Sequence, residues 1–168
     1  MFRRIPGCWD KSMKTAKIAV EKGLVVTIST VAHAKNTEDI PKLYELTKQF
    51  YPRYFRVMTI DPLGRAELNK NYLLSPQQTR EIIHFIRDEH EKNFMNYADS
   101  KTTMVELSGC CGWLTTALEG RVRPYLFHCI AGINNLGILY DGKLSSCSNI
   151  SRDFIQGDLR KERIKDVW

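Results

Sequence analysis

LVVTISTVAHAKNTEDIPKLYEL, residues 24–46, decides the fold class. Its opening, LVVTISTV (24–31), is β-branched and almost continuously apolar. That is the pattern of a strand buried on both faces of a parallel sheet. A polar stretch follows in which Asn36, Thr37 and Asp39 are all candidate helix caps. Pro41 favours a start at Asp39, because proline is tolerated in a first helical turn. Ile40, Leu43, Leu46 or Thr47, and Phe50 then form one apolar stripe.

The same alternation continues outward. Upstream, Asp10 is placed to cap a helix with Met13, Ala16, Ala19 and Val20 on one face, and Gly23 sits where a helix stops. Downstream, YFRVMTI (54–60) is a second strand, ended by DPLG. Ser75, Pro76 and Gln78 spell a capping box that opens a third helix, buried through Ile82, Ile83, Phe85 and Ile86. His84 and His90 fall on its polar side and are predicted to be exposed. Residues 10–92 therefore read α, β, α, β, α, which implies an α/β fold with a parallel sheet, doubly wound or barrel. Two strands cover too little, so the chain is expected to be part of a larger domain with further strands before it.

The totals fit this reading. A chain of 168 residues is long enough for a substantial core. Its longest apolar run is far short of the ~18 residues a membrane helix needs. The start, MFRRIPGCWDK, has no apolar signal-peptide region. A cytoplasmic protein without a membrane partner is expected. The net charge of +6 is spread among acidic residues, apart from small clusters at Arg121–Arg123 and Arg160–Lys165. That is a solvated surface rather than a nucleic-acid footprint.

Past residue 100 the texture changes. TTMVELSGCCGW (102–113), LFHCIAGIN (126–134) and LGILYDGKLSSC (136–147) hold four of the five cysteines. The predicted organisation is an α/β unit over 1–100 and a small cysteine-bearing β-hairpin/helix unit over 101–168. Asp141-Gly142 predicts a type I′ hairpin turn, which needs positive φ at both central residues. A helix is predicted to begin at Asp158. A hairpin brings Cys129 and Cys147 towards one point, and Cys110 and Cys111 are flanked by Gly109 and Gly112. An odd number of cysteines argues against a closed disulfide framework. The thiols read as buried small hydrophobes, as ligands of an iron–sulfur cluster, or as zinc ligands in a non-catalytic binding module on an α/β scaffold. The adjacent Cys110 and Cys111 disfavour zinc, which prefers longer spacings. His128 reads as a ligand neighbour or a bystander, His33 as a residue at the sheet's carboxyl end, and Trp113 and Trp168 as packing residues.

The spacing C-x12-G-x4-C from Cys129 through Gly142 to Cys147, with Ala131-Gly132 after the first cysteine, resembles the opening of a SPASM or twitch domain. The tail FIQGDLRKERIKDVW (154–168) resembles that domain's next element. Residues 4–46 and YFRVMTIDPLGRA (54–66) resemble the second half of a radical S-adenosylmethionine (radical SAM) partial (β/α), or TIM-type, barrel. The resemblance implies an oxidoreductase or maturase that cleaves S-adenosylmethionine to a deoxyadenosyl radical. That radical abstracts hydrogen from a peptide, protein or small-molecule substrate, and a flavodoxin or ferredoxin supplies the electrons. It implies an auxiliary [4Fe–4S] cluster with Cys129 and Cys147 as ligands and Cys110 or Cys111 as a further candidate. It also implies that Thr30 and Asn36 after the first strand, and Pro62 and Gly64 after the second, help hold S-adenosylmethionine. Asn36 reads equally as a helix cap, and Pro62 and Gly64 as turn formers. The sequence contains neither the family's C-x3-C-x2-C nor its later C-x2-C-x5-C-x3-C, so it is expected to be a fragment, inactive alone.

Overall fold

The computed structural model describes residues 5–109, 114–125, 127–147 and 149–168, without the side chain of Arg65. The chain forms two compact units: Met1–Asp61 with Asn71–Phe127, and Pro62–Lys70 with His128–Trp168.

The first unit is a parallel sheet with helices on one face. Its strands are β1 (Thr27–Ala32), β2 (Tyr54–Thr59) and β3 (Met104–Ser108), in the order β1-β2-β3. Helix α1 (Cys8–Glu21) precedes β1, α2 (Asp39–Lys48) joins β1 to β2, and α3 (Pro76–Phe94) joins β2 to β3. A short α4 (Thr116–Glu119) follows β3. Ala32, Phe55, Val57, Val105 and Leu107 pack with Ile40 and Tyr44 of α2 and Ile82 and Ile86 of α3. The opposite face is polar across its centre, where Ser29, Arg56 and Glu106 lie in one cross-strand row. The Arg56 guanidinium pairs with Glu106 at 2.6 Å.

Several expectations are corrected by the packing. Met104–Ser108, read from the sequence as belonging to the second unit, is the third parallel strand, because Val105 and Leu107 complete the core under α3. β1 is not buried on both faces: it is an edge strand, and Leu24 and Val25 before it are 64% and 78% exposed. α1 begins at Cys8, so Asp10 sits in its first turn and not at its cap. On α2 the buried residues are Ile40, Tyr44 and Thr47, while Leu46 is exposed. His90 is buried at 2% exposure, because α3 lies along β3 and the His90 ring nitrogen Nδ1 pairs with the Val105 carbonyl at 2.8 Å. The capping box forms as read: the Gln78 amide donates to Ser75 Oγ, and the Ser75 amide to Gln78 Oε1. Gly23 ends α1 with φ 76°, a backbone conformation that glycine adopts without strain.

The second unit contains an antiparallel sheet of β4 (Gly137–Ile138), β5 (Lys143–Ser145) and β6 (Gly157–Asp158), followed by α5 (Ile164–Val167). The hairpin exists, but its turn is not type I′. Gly142 has φ 77°, whereas Asp141 is not among the positive-φ residues. The Gly142 amide donates to the Leu139 carbonyl and the Leu139 amide to the Lys143 carbonyl, so one glycine alone supplies the left-handed step. Asp158 lies in β6 rather than starting a helix, since its main chain pairs with Lys143.

Candidate functional site

In the second unit, the stretch after Cys129 is a tight turn. The Ile133 and Asn134 amides donate to the Ile130 carbonyl, and the Gly132 amide to the Asn135 carbonyl. Gly132 has φ 72°, and a Cβ built there would lie 3.3 Å from the Ser146 Cβ. The turn after Cys129 therefore rests on the residue next to Cys147. A side chain at Gly132 would crowd the segment that carries Cys147 by a few tenths of an ångström, and its φ favours glycine there.

Cys147 is held from both sides. Its carbonyl accepts from Ser145 Oγ at 2.9 Å and from the Ile150 amide at 3.4 Å. Its Sγ accepts the Asn149 amide at 3.3 Å. Cys147 is half-buried, Cys129 is exposed, and both are free thiols. His128 is exposed. Cys110 and Cys111 lie outside the described residues, as does Trp113. Among the described residues, no group of three His, Cys, Asp or Glu side chains surrounds a common point.

The frame behind the hairpin turns on Asp158. Its carboxylate accepts from Arg160, and from Lys143 Nζ at 2.9 Å. Arg160 first, then Lys143, holds its carboxyl far below the usual carboxylate range. Pro62 and Gly64 also belong to this unit. Both are exposed, and Gly64 opens a single 3₁₀ turn with φ 57°.

In the first unit, Thr30 and Asn36 line one cavity of about 540 Å³, together with Cys8, Trp9 and Met13 of α1 and His33. Asn36 is neither free nor the cap of α2, whose cap residue is Glu38. Its Oδ1 accepts the His33 amide at 2.7 Å, and its Nδ2 donates to the Val31 carbonyl at 3.0 Å. It clamps the loop that leaves β1. That loop is tied down again by Gln78 Nε2 donating to the Ala34 carbonyl, and by the Ala34 amide donating to the Tyr72 carbonyl. His33 stacks edge-on with Tyr72, and burial, followed by the nearby Lys35 charge, lowers its pKa. Sequence reasoning found Gln78 as a cap but not this second role. It did not reach Asn149, whose contribution is a main-chain amide that any residue but proline carries.

Residues 129–168 match the SPASM family, an iron-sulfur cluster-binding domain. The whole chain is similar to the AdoMet-dependent heme synthase of Methanosarcina barkeri, 19% identical over 99% of this chain and 48% of that protein. The heme synthase of Oleidesulfovibrio alaskensis is also 19% identical, with 44% of its length covered. A PqqA peptide cyclase from Granulibacter bethesdensis is 26% identical over 46% of this chain. Among solved structures, SuiB of Streptococcus suis superimposes with a TM-score of 0.55 at 15% identity, covering 95% of this chain and 37% of that one. These similarities support reading the chain as a fragment of a radical S-adenosylmethionine protein with a SPASM domain. It spans less than half the length of the heme synthases it matches. No helix among the described residues is long and apolar enough to cross a membrane.

Proposed function

We propose that this chain contributes the later strands of a partial barrel and the opening of an auxiliary-cluster domain to a radical S-adenosylmethionine enzyme. Cys129 and Cys147 are two thiolate ligands of an auxiliary [4Fe–4S] cluster, with Cys110 and Cys111 as further candidates. The observation that carries this reading is the SPASM match, which begins at Cys129 and takes in Cys147. The local structure fits such a group: two soft donors on juxtaposed turns, one of them already accepting an amide hydrogen bond. When bound, such a cluster supplies one-electron transfer. On this reading the cavity lined by Thr30 and Asn36 takes the adenosine and methionine parts of S-adenosylmethionine, and Pro62 and Gly64 shape the loop after β2. The substrate is a peptide, a protein or a small molecule, and the electron donor is of the flavodoxin or ferredoxin kind.

Anaerobic reconstitution of the full chain with iron and sulfide tests this. The expected result is broad visible charge-transfer absorption with bound iron and sulfide, lost in Cys129→Ala and in Cys147→Ala. Indifference of the absorption to both substitutions, or stoichiometric zinc without sulfide in aerobically purified protein, overturns the reading.

A further inference from the structure

We infer that the main-chain amide of Asn149 positions the Cys147 sulfur and raises the reduction potential of the iron–sulfur centre that this sulfur binds. The inference rests on the reading of Cys147 as a cluster ligand. The geometry that motivates it is local. The Asn149 amide donates to Cys147 Sγ at 3.3 Å, while Ser145 Oγ and the Ile150 amide both donate to the Cys147 carbonyl. Three donors converge on one residue, so its main chain and its sulfur are both fixed by the apo protein. A ligand set in place beforehand loses less entropy when metal arrives.

The chemical consequence follows from charge. A thiolate bound to iron carries negative charge, and more of it when the centre is reduced. A donor aimed at that sulfur stabilises the reduced form more than the oxidised one, which moves the potential upward. Among the described residues no such donor reaches Cys129, which is exposed. The two sulfurs are therefore unequal: Cys147 is the hydrogen-bonded, half-buried one and Cys129 the exposed one.

Two substitutions separate the amide from the side chain. Asn149→Ala keeps the donor, and Asn149→Pro removes it. In the full chain reconstituted with iron and sulfide, Asn149→Ala is expected to match the parent in midpoint potential and in iron–sulfur stretching frequencies. Asn149→Pro is expected to shift the potential negative, and to lose the sensitivity of those bands to exchange into D2O. Equal potentials in the two variants overturn the inference.

Proline also restrains the backbone, so a second measurement asks the question without it. In the metal-free chain, Cys147→Ala is expected to speed hydrogen exchange of the Asn149 amide about three- to tenfold, the factor one modest hydrogen bond supplies. An unchanged exchange rate overturns the N–H···S bond whether or not iron binds. Failure of this inference is thereby distinguished from failure of the cluster reading, which the iron and sulfide content decides.

Discussion

Gly157 faces Val167 so closely that a Cβ on the glycine would lie 2.7 Å from Val167 Cγ2, with Leu144 Cδ1 at 3.4 Å. The final helix is thus seated on β6 through a missing side chain. Gly157→Ala gains a little strand propensity but must push Val167 aside. Overpacking wins, at a cost of ~1–3 kcal/mol. Chemical denaturation should show this loss, and Val167→Ala in the same chain should recover most of it. Full stability of Gly157→Ala alone would show that the contact yields freely.

Glu119 and Arg123 form an ion pair whose side chains are each 1% exposed. Glu119 Oε2 also accepts the Leu114 amide, and the Arg123 guanidinium lies 4.6 Å from the Phe127 ring centre. Glu119→Ala leaves a buried guanidinium without its carboxylate and should cost about 3–5 kcal/mol. Replacing both, as Glu119→Leu with Arg123→Met, should cost much less, because no buried charge remains. Denaturation midpoints of the single and double variants compare the two directly.

Tyr44 is held protonated well beyond its ordinary range. Burial pushes its pKa up to about 12, against a smaller opposing effect of the Asn93 side-chain hydrogen bond. The folded chain then binds this proton more tightly than the unfolded chain does. Its contribution is complete below the ordinary tyrosine pKa near 10 and is lost as pH rises through about 12. Phenolate absorbance should show one tyrosine titrating late, and Tyr44→Phe should remove that step.

His33 works in the opposite direction on the pH scale. Burial, then Lys35, lowers its pKa below 6.5, so the unfolded state binds the extra proton first. Stability should rise with pH across the window between the lowered folded value and 6.5, and be lost on acidification through it. Denaturation series on the parent and on His33→Gln test this. The variant should show a flatter slope across that window.

Asp158 adds an acid limit. Arg160 and Lys143 lower its pKa, so its contribution is complete above the ordinary carboxylate range near 3.8 and falls away as acid protonates it. Asp158→Asn should weaken the second unit at neutral pH and lessen its further loss in acid, followed by circular dichroism.

The fold was legible wherever local chemistry and packing agreed. Ser75, Pro76 and Gln78 specify a helix start by hydrogen bonds within one turn, and Gly23 specifies a stop by its φ alone. β3 was not legible as part of the first unit, because its partner β2 is some fifty residues away and the cysteine-rich run begins directly after it. His90 looked solvent-facing on a helical wheel. α3 buries a wider arc than its apolar residues mark, and the Val105 carbonyl pairs with one of the two His90 ring nitrogens there, Nδ1. Asp158 followed a glycine and preceded charged residues, which resembles a helix cap. Only the pairing with Lys143 reveals a strand. At the candidate site the cysteine spacing was readable, while the amide aimed at Cys147 was hidden in the backbone.

The row Ser29, Arg56 and Glu106 sets a condition on whatever packs against that face of the first sheet, where Glu106 is already buried at 3% exposure. A greasy second layer there would have to desolvate an arginine that now retains 37% of its side-chain exposure. Around Arg56, polar surroundings suit that side best. The sheet is suited to act as the wall of a wet chamber and poorly suited to be the middle slice of a dry sandwich.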